Sequence, residues 1–283
     1  MLKPNIGVLL NLSENHLERH GTLSRYLGIK ARIFSQQNAE DLAILNADDE
    51  MVSSLESNLH SKVLNFGTGE SCNARIEYSP TDNVDRIVFD DSSLDLSSCK
   101  LYGLHNRSNV AVAALVAREL GTSDADIINA VNSFSTLEHR LELVPNNLDR
   151  VIINDSKSTT VAACRAAVLA TVERYREGKL TIMIGGLAKA GSWKPVIQEF
   201  LHFKERLNAV ICFGEDGRML SVLCQDIDMP FLVEAKVETA LDQAIESSTS
   251  GDIILFSPGC ASFDEFRDFE ERGNMFKSYV GSI

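Results

Sequence analysis

DIILFSPGCASFDEFRDFEERGNMF, residues 252–276, decides the fold. Its opening, DIILFSP (252–258), is a short apolar run closed by proline, the pattern of a buried strand ending in a turn. Ser262 stands three residues before Glu265, the spacing of a capping box. Phe263, Phe266, Phe269 and Phe276 recur at helical spacing, so a helix is expected over 262–280. Strand, tight turn and capped helix N-terminus leave backbone N–H groups unpaired, which suits an anion. An ordinary strand–turn–helix with a good cap reads the same way.

Upstream of this stretch the same format repeats. VIINDS (151–156), LTIMIGG (180–186), NAVICFGE (208–215) and PFLVE (230–234) read as strands. Helical stretches follow them at 158–173, 193–205, 215–225 and 236–247. Strands alternating with helices imply a mostly parallel, doubly wound sheet covered on both faces. Ligands bind such sheets at the carboxyl ends of the strands, so the polar residues there are where chemistry is sought.

The first half has a different texture. A strand-like run, NIGVLLNL (5–12), precedes a helix-like segment over 23–37 and a second apolar run, DLAILNADD (41–49). KVLNFG, ARIEY and RIVFD within 62–103 predict a small antiparallel element. Helices are expected at 106–120 and 124–134. The chain thus divides into residues 1–136 and 137–283, both of α/β character.

Composition excludes several classes. A length of 283 residues, 44% hydrophobic and 24% charged, is that of a globular protein with room for two cores. The net charge of -13 argues against sequence-independent nucleic-acid binding. No apolar stretch is long enough to span a bilayer, and the N-terminus lacks a signal-peptide pattern. Six cysteines without CxxC pairing imply a reducing, cytoplasmic setting.

Five motifs carry candidate chemistry. NDSKSTT (154–160) sets Asp155, Lys157 and Thr159 between a strand and a helix, suited to a ribose, a phosphate or a carboxylate. A capped helix with a solvated lysine accounts for it too. GGLAKAGS (185–192) offers a tight turn and one cation, Lys189, but matches neither GxxxxGK[ST] nor GxGxxG. EHRLE (138–142) sets His139 and Arg140 at the junction of the halves, where they clamp a nucleotide or line a solvated linker. HNRSN (105–109) opens a helix with Asn106 and Asn109; a cap explains one of them and purine recognition the other. LNLSENHLERHG (10–21) carries His16 and His20 but not HExxH, so a Mg²⁺ or Mn²⁺ site fits His16 better than zinc, and a surface role fits His20.

Taken in order, NLSENHLERHG, LNADD, GLHNRSNVAVAA, EHRLE, NDSKSTT, IGG with Lys189, and SPGCASFDEFRDFEERGNMF resemble the Mur ligase family, in its D-glutamate-adding branch. The resemblance covers essentially the whole chain, and the absence of Asp-Asn-Pro-Arg sets aside the branch that adds a diamino acid. It implies a partial central ATPase-type domain followed by a Rossmann-like C-terminal domain, with ATP and Mg²⁺ (or Mn²⁺) as cofactors. The implied substrates are D-glutamate and UDP-N-acetylmuramoyl-L-alanine; the implied reaction is acyl-phosphate formation, then attack by the D-glutamate amine.

The resemblance further implies that His16 and a carbamylated Lys30 hold the metal, and that Lys157 lies by the reacting phosphate. It gives adenine and ribose contacts to Asn109, Arg140 and Asp155, with Asn106 and His139 adjacent. Thr159, Lys189, Ser262 and Phe263 hold D-glutamate, with Phe269 nearby.

The departures are as informative. Family members carry a sugar-binding domain, a Gly-Lys-Thr phosphate loop and an acidic metal ligand ahead of NLSENH, and these residues do not contain them. Lost preorganised donors cost about three orders of magnitude in rate, so the chain alone is expected to be inactive. A shortened start is expected, because the first strand falls where the central sheet should continue. A separate N-terminal partner chain, or a stand-alone binding module, are the alternatives. Smaller departures are Asn15, Ala188, Ala190 and Thr160.

Overall fold

The computed structural model describes residues 3–13, 21–189 and 191–283, in two compact units, Met1–Ser135 and Thr136–Ile283. In the first unit, β1 (Ile6–Leu9), β2 (Leu42–Asn46), β3 (Lys62–Gly67), β4 (Ala74–Ser79), β5 (Val84–Val88) and β6 (Ser93–Asp95) lie side by side in that order. β1 to β4 run parallel, and β4, β5 and β6 antiparallel. KVLNFG is therefore not part of the small antiparallel element expected over 62–103. It becomes β3 of the parallel part, because α2 (Glu50–Ser53) and a 3₁₀ turn supply the crossover that parallel pairing needs.

Three described helices of this unit begin on short polar side chains, Thr22, Asp49 and Ser123. Thr22 caps α1 (Leu23–Ala31), accepting from the N–H of Arg25, and Ser123 caps α4 (Asp124–Ser133). The expected helix over 23–37 ends earlier, in a 3₁₀ turn at Arg32–Phe34. Between α1 and α4, α3 (Leu104–Glu119) lays Ala111 and Leu115 on the sheet core of Ile44, Phe66, Ile87 and Leu96.

The second unit holds β7 (Glu142–Leu143), β8 (Val151–Asn154), β9 (Leu180–Gly185), β10 (Leu207–Phe213), β11 (Phe231–Glu234) and β12 (Ile253–Gly259). Their order is β11-β10-β9-β12-β8-β7, parallel except for β7. One face carries α5 (Val161–Arg174), α6 (Trp193–Glu199) and α7 (Gly217–Gln225). The other carries α8 (Val237–Glu246) and α9 (Phe269–Val280). The last strand inserts between the first two long ones, so the connections leaving β9 and β12 depart to opposite faces. That is the place where a doubly wound sheet opens a crevice. Beneath it Phe213, Phe256 and Phe276 stack, with centroids 5.8 Å and 4.4 Å apart.

Two details of the opening stretch are corrected. Pro258 lies inside β12 rather than after it; the ladder to β9 shifts register between Phe256 and Gly259, so the missing N–H removes no rung. The helix begins at Phe269, not Ser262. Ser262 closes a single turn, its carbonyl accepting from the N–H of Phe266 at 2.8 Å. Glu265 turns away to accept from the N–H of Val237 at 3.2 Å, capping α8. The true cap is Asp268, which accepts from the N–H of Glu271 at 2.8 Å, while Glu271 accepts from the N–H of Arg267 at 2.7 Å.

Candidate functional site

At the carboxyl edge of the second sheet, backbone hydrogen bonds join the loops to one another. Leu187 and Ala261 exchange both bonds, at 3.0 and 2.9 Å. The loop carrying Lys189 is thereby fastened to the loop carrying Ser262. Only glycine fits at 186: its φ is +111°, and a Cβ would lie 2.4 Å from the Ala261 carbonyl oxygen. The N–H of Gly259 donates to the Ser158 carbonyl at 2.9 Å, bringing in the loop of Thr159. On the other side, the N–H of Ala188 donates to Asp216 Oδ2 at 2.7 Å and that of Glu215 to Asp264 Oδ2 at 3.1 Å. Ser262 is buried, Thr159 and Lys189 are half-buried, and Phe263 is 67% exposed. The grouping offers two hydroxyls and one ammonium to an anion.

Lys157 and Phe269 form the neighbouring part. The Lys157 ammonium stands 3.6 Å from the centre of the Phe269 ring, a cation–π contact that fixes its direction. Its own N–H donates to the His139 carbonyl at 3.0 Å. His139 is buried, packs edge-on to Phe269 with ring centres 6.3 Å apart, and lies 3.0 Å from Asn154 Nδ2 through Nδ1. Burial, helped by Lys277, pulls its pKa down. Gly273 is what makes room for it, since a Cβ there would fall 2.3 Å from Nδ1.

Asp155 is buried with both oxygens occupied. Oδ1 accepts from the N–H of Leu141 at 3.2 Å and Oδ2 from the Ser257 hydroxyl at 2.8 Å. Burial pushes its pKa up to about 7, against the pull of Ser257, Leu141, Arg140 and Arg272. The turn it holds is strained: His139 and Leu141 have φ of +62° and +46°. Both are buried, and the Arg140 between them is exposed.

The remaining expected residues lie in the first unit. Asn106 donates to the Tyr102 carbonyl at 2.9 Å; Asn109 is exposed and 3.5 Å from the Asn106 side-chain oxygen. Arg107, between them, is buried and paired bidentately with Asp85, which sets the helix start. Lys30 is exposed, 5.3 Å from the Tyr26 ring centre, and lines a cavity of about 460 Å³ with Leu9, Asn11 and Ser13. His16 lies outside the described residues. Among those described, no three His, Cys, Asp or Glu side chains group as a metal site. All six cysteines are free thiols, and no described helix is long and apolar enough to cross a membrane.

One buried residue at the site was missed in the sequence. Arg272 is 1% exposed and donates to the Ser156 hydroxyl at 3.0 Å, the Ser156 carbonyl at 2.9 Å and the Cys260 carbonyl at 3.1 Å. Its signal was spacing: Phe269, Arg272, Phe276 and Val280 fall on one helix face, and Phe276 and Val280 are plainly core.

A doubly wound sheet with a polar crevice at its carboxyl edge, preceded along the chain by a mixed, mostly parallel sheet, defines a two-domain α/β protein. Residues 1–117 match the Mur ligase middle domain and residues 139–260 the Mur ligase glutamate ligase domain; the chain belongs to the Mur ligase family. The UDP-N-acetylmuramoylalanine–D-glutamate ligase of Geobacillus sp. (strain WCH70) is 31% identical over 288 residues, covering 99% of this chain and 59% of its own. That of Hydrogenobaculum sp. (strain Y04AAS1) is 33% identical over 278 residues, covering 98% of this chain and 63% of its own. The chain therefore spans about three-fifths of the length of these relatives. Among solved structures, a MurF ligase from Thermotoga maritima in complex with ADP is similar at a TM-score of 0.73 and 20% identity, over 98% of this chain and 62% of that one. FolC from E. coli, in complex with DHPP and ADP, is similar at 0.67 and 16%, over the same shares. Both likenesses concern the fold.

Proposed function

We propose that the chain provides the nucleoside-binding and amino-acid-accepting parts of an ATP-dependent ligase that joins D-glutamate to UDP-N-acetylmuramoyl-L-alanine. The reading rests on the fastened loops after β9 and β12, which carry Lys189 and Ser262. D-glutamate brings two carboxylates and one amine. Lys189 neutralises one carboxylate, the Thr159 and Ser262 hydroxyls take the other, and Phe263 and Phe269 form apolar walls. Held so, the amine nitrogen bonds to the activated carbonyl carbon of the nucleotide-linked alanine. The carbon–oxygen bond to phosphate then breaks, its electron pair leaving with the phosphate and the amine proton passing to solvent.

ATP supplies the phosphoryl group that activates that carboxyl. For it the residues present fit in part. Asn109 and Arg140 are exposed and suited to base and ribose, and Lys157 is suited to a phosphate, whereas Asp155 is already engaged internally. The 283 residues include no Gly-x-x-x-x-Gly-Lys-[Ser/Thr] loop for the polyphosphate, so no phosphoryl step is assigned to them. A divalent metal would be held by His16 and by Lys30 as its carbamate, where it would offset phosphate charge, and no step is routed through it.

A second reading for the 283-residue polypeptide is a module that binds D-glutamate or adenine nucleotide without ligating. Incubation with ATP, D-glutamate and the UDP-sugar peptide puts the binding-only reading at risk. No amide product is expected from this polypeptide alone, and product would sink the binding-only reading. Calorimetry on Lys189→Ala and Ser262→Ala tests the acceptor site; D-glutamate affinity equal to the parent's in both removes it.

A further inference from the structure

Arg272 is a buried cation with no carboxylate in ion-pair contact among the described residues. Its three donors go to one hydroxyl and two carbonyls. Those acceptors belong to two loops. Ser156 precedes Lys157 and Thr159 after β8; Cys260 precedes Ser262 and Phe263 after β12. The Ser156 hydroxyl, which takes one of the arginine's bonds, donates in turn to the Phe269 carbonyl at 2.8 Å, closing the loop onto the start of α9. Beneath the third loop, a Cβ at Gly186 would lie 3.3 Å from Arg272 Nη1. One guanidinium thus touches the foundations of the loops after β8 and β12 and backs the one after β9.

A buried charge is costly unless something compensates it. Dipoles of the two carbonyls do so in part. Burial nevertheless pulls the Arg272 pKa down to about 10, which leaves it protonated at neutral pH. The carboxylates nearest in effect, Asp264, Asp155 and Glu265, make their hydrogen bonds elsewhere. The guanidinium thus adds positive potential to the crevice, against the carboxylates of Asp264, Asp155 and Glu265, from a position behind the loops.

We propose that Arg272 is the positioning residue of the acceptor site: it sets the spacing of the loops bearing Thr159 and Ser262 and supplies the positive potential that draws a dicarboxylate between them. This rests on the acceptor-site reading above. Two variants of the 283-residue chain test it, Arg272→Lys, which keeps the charge, and Arg272→Gln, which removes it. The probes are D-glutamate and D-glutamine, which differ by one negative charge.

Arg272→Gln is expected to weaken D-glutamate binding about tenfold or more and D-glutamine binding by clearly less, since charged hydrogen-bond networks and long-range charge both act on the second carboxylate. Arg272→Lys recovers part of the D-glutamate loss. Equal losses for both probes, or no loss in folded Arg272→Gln, overturns the electrostatic role. Hydrogen exchange supplies an arm that needs no ligand. The amides of Gly259 and Ala261 are expected to exchange faster in both variants while the α8 amides keep their protection. Unchanged exchange at Gly259 and Ala261 overturns the loop-spacing role. Should the parent chain bind neither probe, the acceptor-site reading fails and the electrostatic role with it, while the exchange result still decides the loop spacing.

Discussion

Among the described residues each unit buries one arginine almost completely, and the two are held in opposite ways. Arg107 in the first unit meets Asp85 with two donors and the Leu101 carbonyl with another, and its guanidinium lies 5.3 Å from the Tyr78 ring centre. Arg272 in the second meets only neutral groups. A paired guanidinium is internally neutral and works as a bracket, here between α3 and the β5 hairpin. An unpaired one leaves its field in the crevice. The difference separates a residue that fixes the fold from one that prepares a site for an anion.

The contrast is tested most severely by deletion. Arg107→Met is expected to cost the first unit about 3 kcal/mol, because it strands Asp85 as a charge with its partner gone. Arg107→Met with Asp85→Leu should recover most of that loss in denaturant melts. If the single variant costs under about 1 kcal/mol, the Arg107 pair is a surface-type pair and the contrast collapses.

Titration gives the next largest effect. The Asp155 pKa of about 7 lies well above that of an unfolded aspartate, so the protonated acid favours the fold. That contribution is complete below about pH 4 and disappears as pH climbs through about 7, amounting to a few kcal/mol at most. His139, with its pKa pulled down, acts in the opposite sense: its contribution stands above about pH 6.5 and is lost as pH falls through the lowered value. Asp155→Asn should remove the loss between pH 4 and 7 and leave the acid-side slope of His139. A melting profile of the variant that still falls over that range would show that another group carries it.

The regular part of the fold was legible, for a physical reason. β8 to β12 and α5 to α8 each announce themselves through apolar runs and glycine turns, which are local properties. Strand order was not, since nothing in the run 252–258 says that it will insert between β8 and β9. The start of α9 was misread because two caps compete within seven residues. Ser262 and Glu265 have the right spacing, but Glu265 finds the N–H of Val237, 28 residues away in sequence, and Asp268 with Glu271 wins. KVLNFG was misassigned because a four-residue helix is too short to register as a crossover. Lys189, Thr159 and Ser262 were readable as polar residues after strands. Arg272 was not, because an arginine in a charged helix reads as solvated until the fold turns that face inward.

Lys189→Ala sharpens the contrast from the ligand's side. Lys189 is half-buried and makes no side-chain hydrogen bond or ion pair among the described residues, so stability should move by less than about 0.5 kcal/mol. D-glutamate affinity should fall about tenfold to a hundredfold, the scale of one lost charge-assisted bond. A shift in melting midpoint with unchanged affinity would make Lys189 a structural residue and leave Arg272 to supply the acceptor site's positive potential without it.

The smallest expected effect lies in the first unit and sets the other limit. Asn109 is exposed, and its nearest side-chain partner, Asn106, stands at the 3.5 Å limit of a hydrogen bond. Asn109→Ala should therefore leave stability within about 0.5 kcal/mol of the parent, since the change falls on an exposed helix position where alanine is the better helix former. Arg107, two residues earlier, anchors the same turn of α3 to Asp85, so the helix start holds its place without the amide. On the proposed reading, what the variant removes is a donor and acceptor offered to a purine edge. In a nucleoside titration followed by the amide resonances of 104–112, the parent should show shifts at the start of α3 that Asn109→Ala abolishes. Shifts retained in the variant would move base recognition to Asn106, whose amide is already committed to the Tyr102 carbonyl and would have to release it first.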